Sequence, residues 1–170
     1  MDKKENAAEI TPVYRQSAAY AREHGELDAY RASMRENRAC KEAIEEAISK
    51  NFDGWHLAKG IAQPIMERFG TERVMLVLAN TVQVKDWDGR FSRSNREWAS
   101  RFDSPGDPQK GGDHRFVFVV SSHPASLDGF IDMARRAERE AQRPSVMDAL
   151  KAPKPEHAKS APARKHEAVR

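Results

Sequence analysis

A thiol, an imidazole and a carboxamide are the parts of a cysteine-nucleophile triad. This chain offers them in Cys40, in Asn37 and in His24, His56, His114 and His123. In such a site the imidazole takes the thiol proton and the amide orients the ring. No flanking signature accompanies Cys40 here. It falls beside the apolar stripe of an amphipathic segment, where an unpaired cysteine is ordinarily a buried, inert residue. The histidines show no HxH, HxxxH or HExxH spacing, and a single cysteine cannot build a multi-thiolate zinc site, so no metal is expected. His24 sits where a helix would end and its dipole favours a cation. His123, between Ser122 and Pro124, lies at a strand-to-helix junction where groups converge on a ligand. Local bonding within the turn is the plainer role for it. Gly106, Gly111 and Gly112 follow no strand and form no phosphate-binding loop, so no cofactor is expected either. A hydrolase or transferase using His123 or Cys40 is therefore the weakest of three functional readings.

The richer chemistry is that of recognition. Residues 85–101 hold two tryptophans, Trp87 and Trp98, and four arginines, Arg90, Arg93, Arg96 and Arg101. Such residues dominate binding hot spots, and they also stack on bases and hold phosphates. Asp86, Asp88, Glu97 and Asp103 are interleaved with them, and a protein partner tolerates mixed signs better than a nucleic-acid backbone does. Trp87, Arg90, Arg93, Arg96, Arg101 and His123 thus form the candidate macromolecule-binding set. A second polar set is Tyr30, Arg31, Asn37 and Lys41. Asn37 falls within an apolar stripe and needs a partner if buried, more simply another helix than a ligand.

The elements that must position these residues are mostly helices. Residues 14–25 read as a short helix stopped by Gly25. Leu27 to Lys50 is the clearest helix, with Leu27, Tyr30, Met34, Asn37, Ile44 and Ile48 at three- and four-residue steps. Asn51 to Gly54 supplies a turn. Trp55 to Phe69 is a further helical stretch, kinked or late-starting because of Pro64. Thr71 is the expected N-cap of a central apolar helix over 74–84. Ser92 or Ser94 caps a short helix through Trp98 to Phe102, and residues 103–113 form a loop. The expected minor β element is a strand over residues 115–120, followed by a last helix from Ala125 to Arg143 with Leu127, Phe130, Ile131 and Ala134 inward. The fold class expected is mainly α (α+β), a helical domain over 13–143. A flexible N-terminal arm (1–12) precedes it and a disordered basic tail (144–170) follows.

Charge divides unevenly between these parts. The 170 residues carry a net +3 and a sequence pI of about 9.1, with a mean hydropathy of −0.81. From Arg143 onward there are seven basic and three acidic residues, a net +4, which leaves residues 1–142 at −1. The basicity belongs to the tail, and weak nucleic-acid binding through it is the second functional reading. The longest apolar run, Val74 to Ala79, is far short of a bilayer span. With one cysteine and no signal-like leader, a cytoplasmic protein with no membrane partner is expected.

Beyond single residues, one ordered set of motifs is distinctive. It runs from Tyr14, Ser17 and Tyr20-Ala21-Arg22-Glu23-His24-Gly25-Glu26-Leu27 through Tyr30-Arg31, Ser33, Asn37 and Cys40-Lys41-Glu42-Ala43-Ile44. It continues with Asp53-Gly54, Arg73, Val77 to Thr81, Asp86, Asp88 to Arg93, Asn95, Trp98-Ala99 and Ser122-His123-Pro124. This set resembles an uncharacterised domain family of conjugative elements and phages in gut Firmicutes, over about residues 13–137. That family has no assigned catalytic residues. The resemblance implies a non-enzymatic, protein-binding accessory protein of a mobile genetic element. Inhibition of a host defence nuclease, of anti-CRISPR or anti-restriction type, is the role it suggests.

Overall fold

The computed structural model describes residues 11–86, 88–102 and 118–143. Six helices follow one another: α1 (Ala18–Glu23), α2 (Leu27–Asn51), α3 (Ala62–Phe69), α4 (Thr71–Lys85), α5 (Arg93–Ala99) and α6 (Pro124–Gln142). Their order and type follow the sequence pattern closely. α1 starts at Ser17, whose side chain accepts the Tyr20 N–H. α5 starts at Ser92, which accepts from Asn95 in the same way. Both are the hydroxyl caps that satisfy a helix's first unpaired donors.

α4 is the hub. Residues Arg73 to Val82 are all buried, and the helix packs against α2, α3, α5 and α6. An all-round apolar helix has no wet face to offer, so the others must surround it. α2 contributes Cys40, Ile44 and Ile48 to this core, α3 contributes Ile65, Met66 and Phe69, and α6 contributes Leu127, Phe130, Ile131 and Ala134. A smaller cluster of Tyr14, Ala21 and Tyr30 fastens α1 to α2. Among the described residues no helix is long and apolar enough to cross a membrane.

Two expectations change. The strand over 115–120 is not formed in its described part, 118–120; residues 115–117 lie outside the described residues. Phe118, Val119 and Val120 are buried because the segment is pressed onto α4. The Val120 N–H donates to Thr81 Oγ1 at 3.1 Å rather than to a neighbouring strand. Lys85 Nζ donates to the Ser122 carbonyl at 3.3 Å, and Glu45 accepts the Ser121 N–H at 2.6 Å. Over residues 118–120 the apolar run thus reflects burial against α4, not sheet pairing. The one β contact among the described residues is an isolated bridge between Phe52 and Leu57. Second, Thr71 is the first residue of α4 and not its cap; Gly70 takes the cap position at φ 82°, which a side chain would resist. The 55–69 stretch takes the late start that Pro64 allowed: it is helical from Ala62, with Pro64 in a first turn where its missing N–H costs nothing. The arm over residues 1–10 and the tail over 144–170 lie outside the described residues. Thr11 and Pro12 are tied to the domain through their carbonyls.

Candidate functional site

The arginines of the 85–101 stretch are matched by the acids between them. Arg90 Nε lies 2.5 Å from Asp88, Arg93 Nε 2.8 Å from Glu97, and Arg96 Nε 3.7 Å from Asp86. All three arginines and Arg101 are exposed. Trp98 is half-buried, edge-on to Phe102 with ring centres 5.0 Å apart, and the Arg135 guanidinium lies 5.5 Å from its ring centre. Trp87 lies outside the described residues. The stretch is therefore a surface of paired charges flanking a half-buried aromatic.

Beneath it, Asn95 locks α5 to α6. Its fully buried amide donates to Asp128 Oδ1 at 2.8 Å and Asp132 Oδ1 at 3.0 Å, and its oxygen accepts from Arg135 at 2.6 Å. Asp128 also accepts the Ser92 N–H at 3.1 Å. His123 is the N-cap of α6, its Nδ1 accepting the Ala125 N–H at 3.2 Å. That is the local turn role.

The second polar set separates. Tyr30 is buried edge-on against Tyr14, with ring centres 5.2 Å apart. Arg31 is exposed, 3.8 Å from Asp28, and Lys41 pairs with Glu45 at 3.4 Å. Asn37 faces the buried Arg73: its Oδ1 accepts from Arg73 Nη1. The Arg73 side chain also donates to the Ser33 carbonyl at 3.0 Å and to the Thr11 carbonyl at 2.5 Å, while the Tyr14 N–H donates to Ser33 Oγ at 3.0 Å. Sequence reading missed Arg73 as an organiser. A charge at the head of the apolar Val74–Ala79 run was its available signal. Cys40 lies in the same interior, and burial pushes its thiol up to about 12. A thiol so protonated is a poor nucleophile. Among the described residues no three His, Cys, Asp or Glu side chains are grouped to hold a metal ion.

A further concave feature lies elsewhere. A groove of about 1020 Å³ runs between the 52–61 loop and α6. Its α6 side presents Ala125, Gly129, Met133 and Ala137, each four residues after the last and so on one face of the helix. Its opposite side is the loop, carrying Phe52, Trp55 and Leu57. Leu57 passes close to Gly129 of α6, its Cδ2 4.0 Å from where a Cβ would stand. Arg136, Glu140, Asp132, Lys59, His56 and His123 border the groove.

Trp55 is 88% exposed. The loop holds it there by construction. Asp53 Oδ1 accepts the N–H groups of Trp55 at 2.8 Å and His56 at 2.6 Å, an Asx turn. The Asp53 N–H donates to the His56 carbonyl at 3.2 Å, and the Ala58 N–H to the Asn51 carbonyl at 2.9 Å. Gly54 takes the turn's φ of 100°. The two backbone N–H donors hold the Asp53 carboxyl below its ordinary range. This tryptophan was read as the start of a helix. Asp53-Gly54 before it and Gly60 after it were the signal for a presented loop instead.

A family model described as Protein of unknown function (DUF3849) matches residues 13–139. The chain belongs to this family. No curated protein and no solved structure matches it. The DUF3849 segment takes in the 52–61 loop and α6 up to Arg139, so the groove's lining falls within it except for Glu140. It also takes in the Arg73 cluster and the Asn95 lock. The basic residues from Arg143 onward lie beyond it.

Proposed function

We propose that this chain is a non-enzymatic protein-binding module, and that its contact surface is the groove between the 52–61 loop and α6. The observation that carries this reading is Trp55, held 88% exposed on a hydrogen-bonded turn beside a largely apolar groove. Covering such a ring would gain on the order of 5 kcal/mol, at ~25 cal/mol per Å² over its ~200 Å². A turn rigidified in advance loses little entropy on docking. The four-residue repeat of Ala125, Gly129, Met133 and Ala137 suits an amphipathic helix of the partner, laid apolar face down with Trp55 as clasp. The likeness to proteins of conjugative elements and phages supplies the setting. There the module acts as an accessory protein that occludes a host defence nuclease, in the cytoplasm of the host. The Trp87–Arg101 stretch is the rival surface, and its matched ion pairs weaken its claim as a primary anchor.

Affinity capture from host lysate with three forms of the full chain tests the assignment. A specific partner is retained by the unaltered chain and by Arg90→Ala/Arg93→Ala, and is lost with Trp55→Ala. Retention by Trp55→Ala together with loss from the double arginine variant would move the interface to α5. A purified partner nuclease inhibited equally by the unaltered chain and by Trp55→Ala would overturn the groove reading.

A further inference from the structure

We propose that the groove is also the contact between two copies of this chain, which lay α6 against α6 antiparallel about a two-fold axis level with Ala134. This rests on the groove being the binding surface, and a foreign partner would compete with the second copy for it. The charges on the rim carry the inference. Asp132, Arg136, Glu140 and Lys59 are exposed beside the groove. Asp132 and Arg136 stand four residues apart, in the order that favours an ion pair along a helix. Asp132 instead turns Oδ1 to the Asn95 amide at 3.0 Å. Arg136, Glu140 and Lys59 are in no ion pair among the described residues, whereas Arg90, Arg93 and Arg96 on the α5 side all are.

An antiparallel second copy matches these charges. With the axis level with Ala134, residue 132 of one copy comes opposite residue 136 of the other. Asp132 then faces Arg136 twice, once in each direction, as an isologous interface requires. Glu140 of the second copy comes one residue from Gly129, where Leu57 stands. Lys59, two residues along that loop, borders the groove there to meet it. Asp128, the acid level with Glu140 in this register, is turned under α5 to the Ser92 N–H and the Asn95 amide.

The apolar residues fall into step in the same register. Met133 of one copy lies between Met133 and Ala137 of the other, and Ala137 lies between Gly129 and Met133. Ridges on each helix thus meet gaps on its mate. Each groove receives an amphipathic helix, and each exposed Trp55 is covered by the other copy. Two tryptophan rings at ~200 Å² each supply about a quarter of the roughly 1,600 Å² that a standard interface buries. The rim charges set direction and register more than strength.

Sedimentation velocity on the full chain, from micromolar to sub-millimolar concentration, should show a monomer–dimer equilibrium that Trp55→Ala weakens about tenfold or more. Arg136→Asp and Asp132→Arg should each self-associate about tenfold more weakly, because like charges then face each other across the axis. Mixing these two variants should restore a one-to-one complex. Lys59→Glu and Glu140→Lys should behave in the same way, and they leave the Asn95 lock untouched if Asp132→Arg disturbs the fold. A chain that stays monomeric throughout overturns the second copy as occupant and leaves the groove to a foreign partner. A dimer that Trp55→Ala leaves unchanged places the contact elsewhere and overturns the proposal. Dimerisation indifferent to all four charge variants, or not restored by mixing in either pair, overturns the antiparallel register. A dimer formed as described by a chain that captures no foreign protein keeps the pairing and overturns the foreign-partner reading.

Discussion

Arg73 is 3% exposed, and its guanidinium is held by oxygens of Ser33, Asn37, Thr11 and Pro12 rather than by a carboxylate. Burial lowers its pKa, with Glu36 nearby working against the shift. Removing the guanidinium leaves several inward-facing acceptors unpaired, the costly half of any hydrogen bond. Arg73→Ala should therefore lower unfolding stability by about 3 kcal/mol in urea denaturation, against about 1 kcal/mol or less for Arg93→Ala on the surface. A loss equal to that of the surface variant would show that the cluster is ornamental. Cys40 gives a prediction of opposite character. Its folded thiol ionises only near 12, while the unfolded thiol does so near 9. Ionisation above 9 therefore favours the unfolded chain. The stabilisation is complete below that pH and disappears as pH climbs toward 12. Iodoacetamide at pH 8 should leave the native thiol untouched for hours and alkylate it promptly in guanidinium. Fast labelling of the native protein would refute the burial argument.

At the scale of elements, the 52–61 loop depends on one carboxylate. Asp53 is ionised more readily in the folded chain than its ordinary value of 3.8, so the turn is secured above that pH and loosens as pH falls below it. The Trp55 indole signal in NMR should shift toward its random-coil position below pH 4. Asp53→Asn, whose amide oxygen can still accept both N–H groups, should remove the pH dependence while keeping the turn. An indole signal that ignores pH in the original chain would mean that Asp53 does not hold the loop. The same scale shows what the sequence allowed a reader to see. α2 and α6 were legible because their apolar residues repeat over many turns, and a long repeat averages out local exceptions. The 118–120 segment was not, because Phe118 and Val120 are buried by contact with α4, and burial against a helix imitates the pattern of a strand. The presented Trp55 was equally hidden. A tryptophan two residues before the four-residue series Leu57, Ile61, Ile65 and Phe69 reads as the start of that helix until the Asx turn before it is recognised.

At the scale of the whole molecule, the distribution of charge sets a limit on what kind of partner each part can take. Residues 1–142 carry a net −1, and three of the four arginines of the 85–101 stretch sit in ion pairs. Such a surface offers a phosphate backbone little net attraction. The residues from Arg143 onward carry +4 and hold no matching density of acids. Any nucleic-acid affinity should therefore reside in that part and be electrostatic, non-specific and salt-sensitive. A gel shift with the full chain on duplex DNA should appear only at low salt. It should vanish when Lys151, Lys154, Lys159, Arg164 and Lys165 are all changed to Gln, and persist with Arg90→Ala/Arg93→Ala/Arg96→Ala. Seven basic groups at ~0.9 per neutralised phosphate set a log–log salt slope no steeper than about −6. A steeper slope, or a shift abolished by the arginine variant alone, would bring the helical domain into the contact. It would also reverse the preference for a protein partner, because α5 would then have to break its ion pairs and turn them outward.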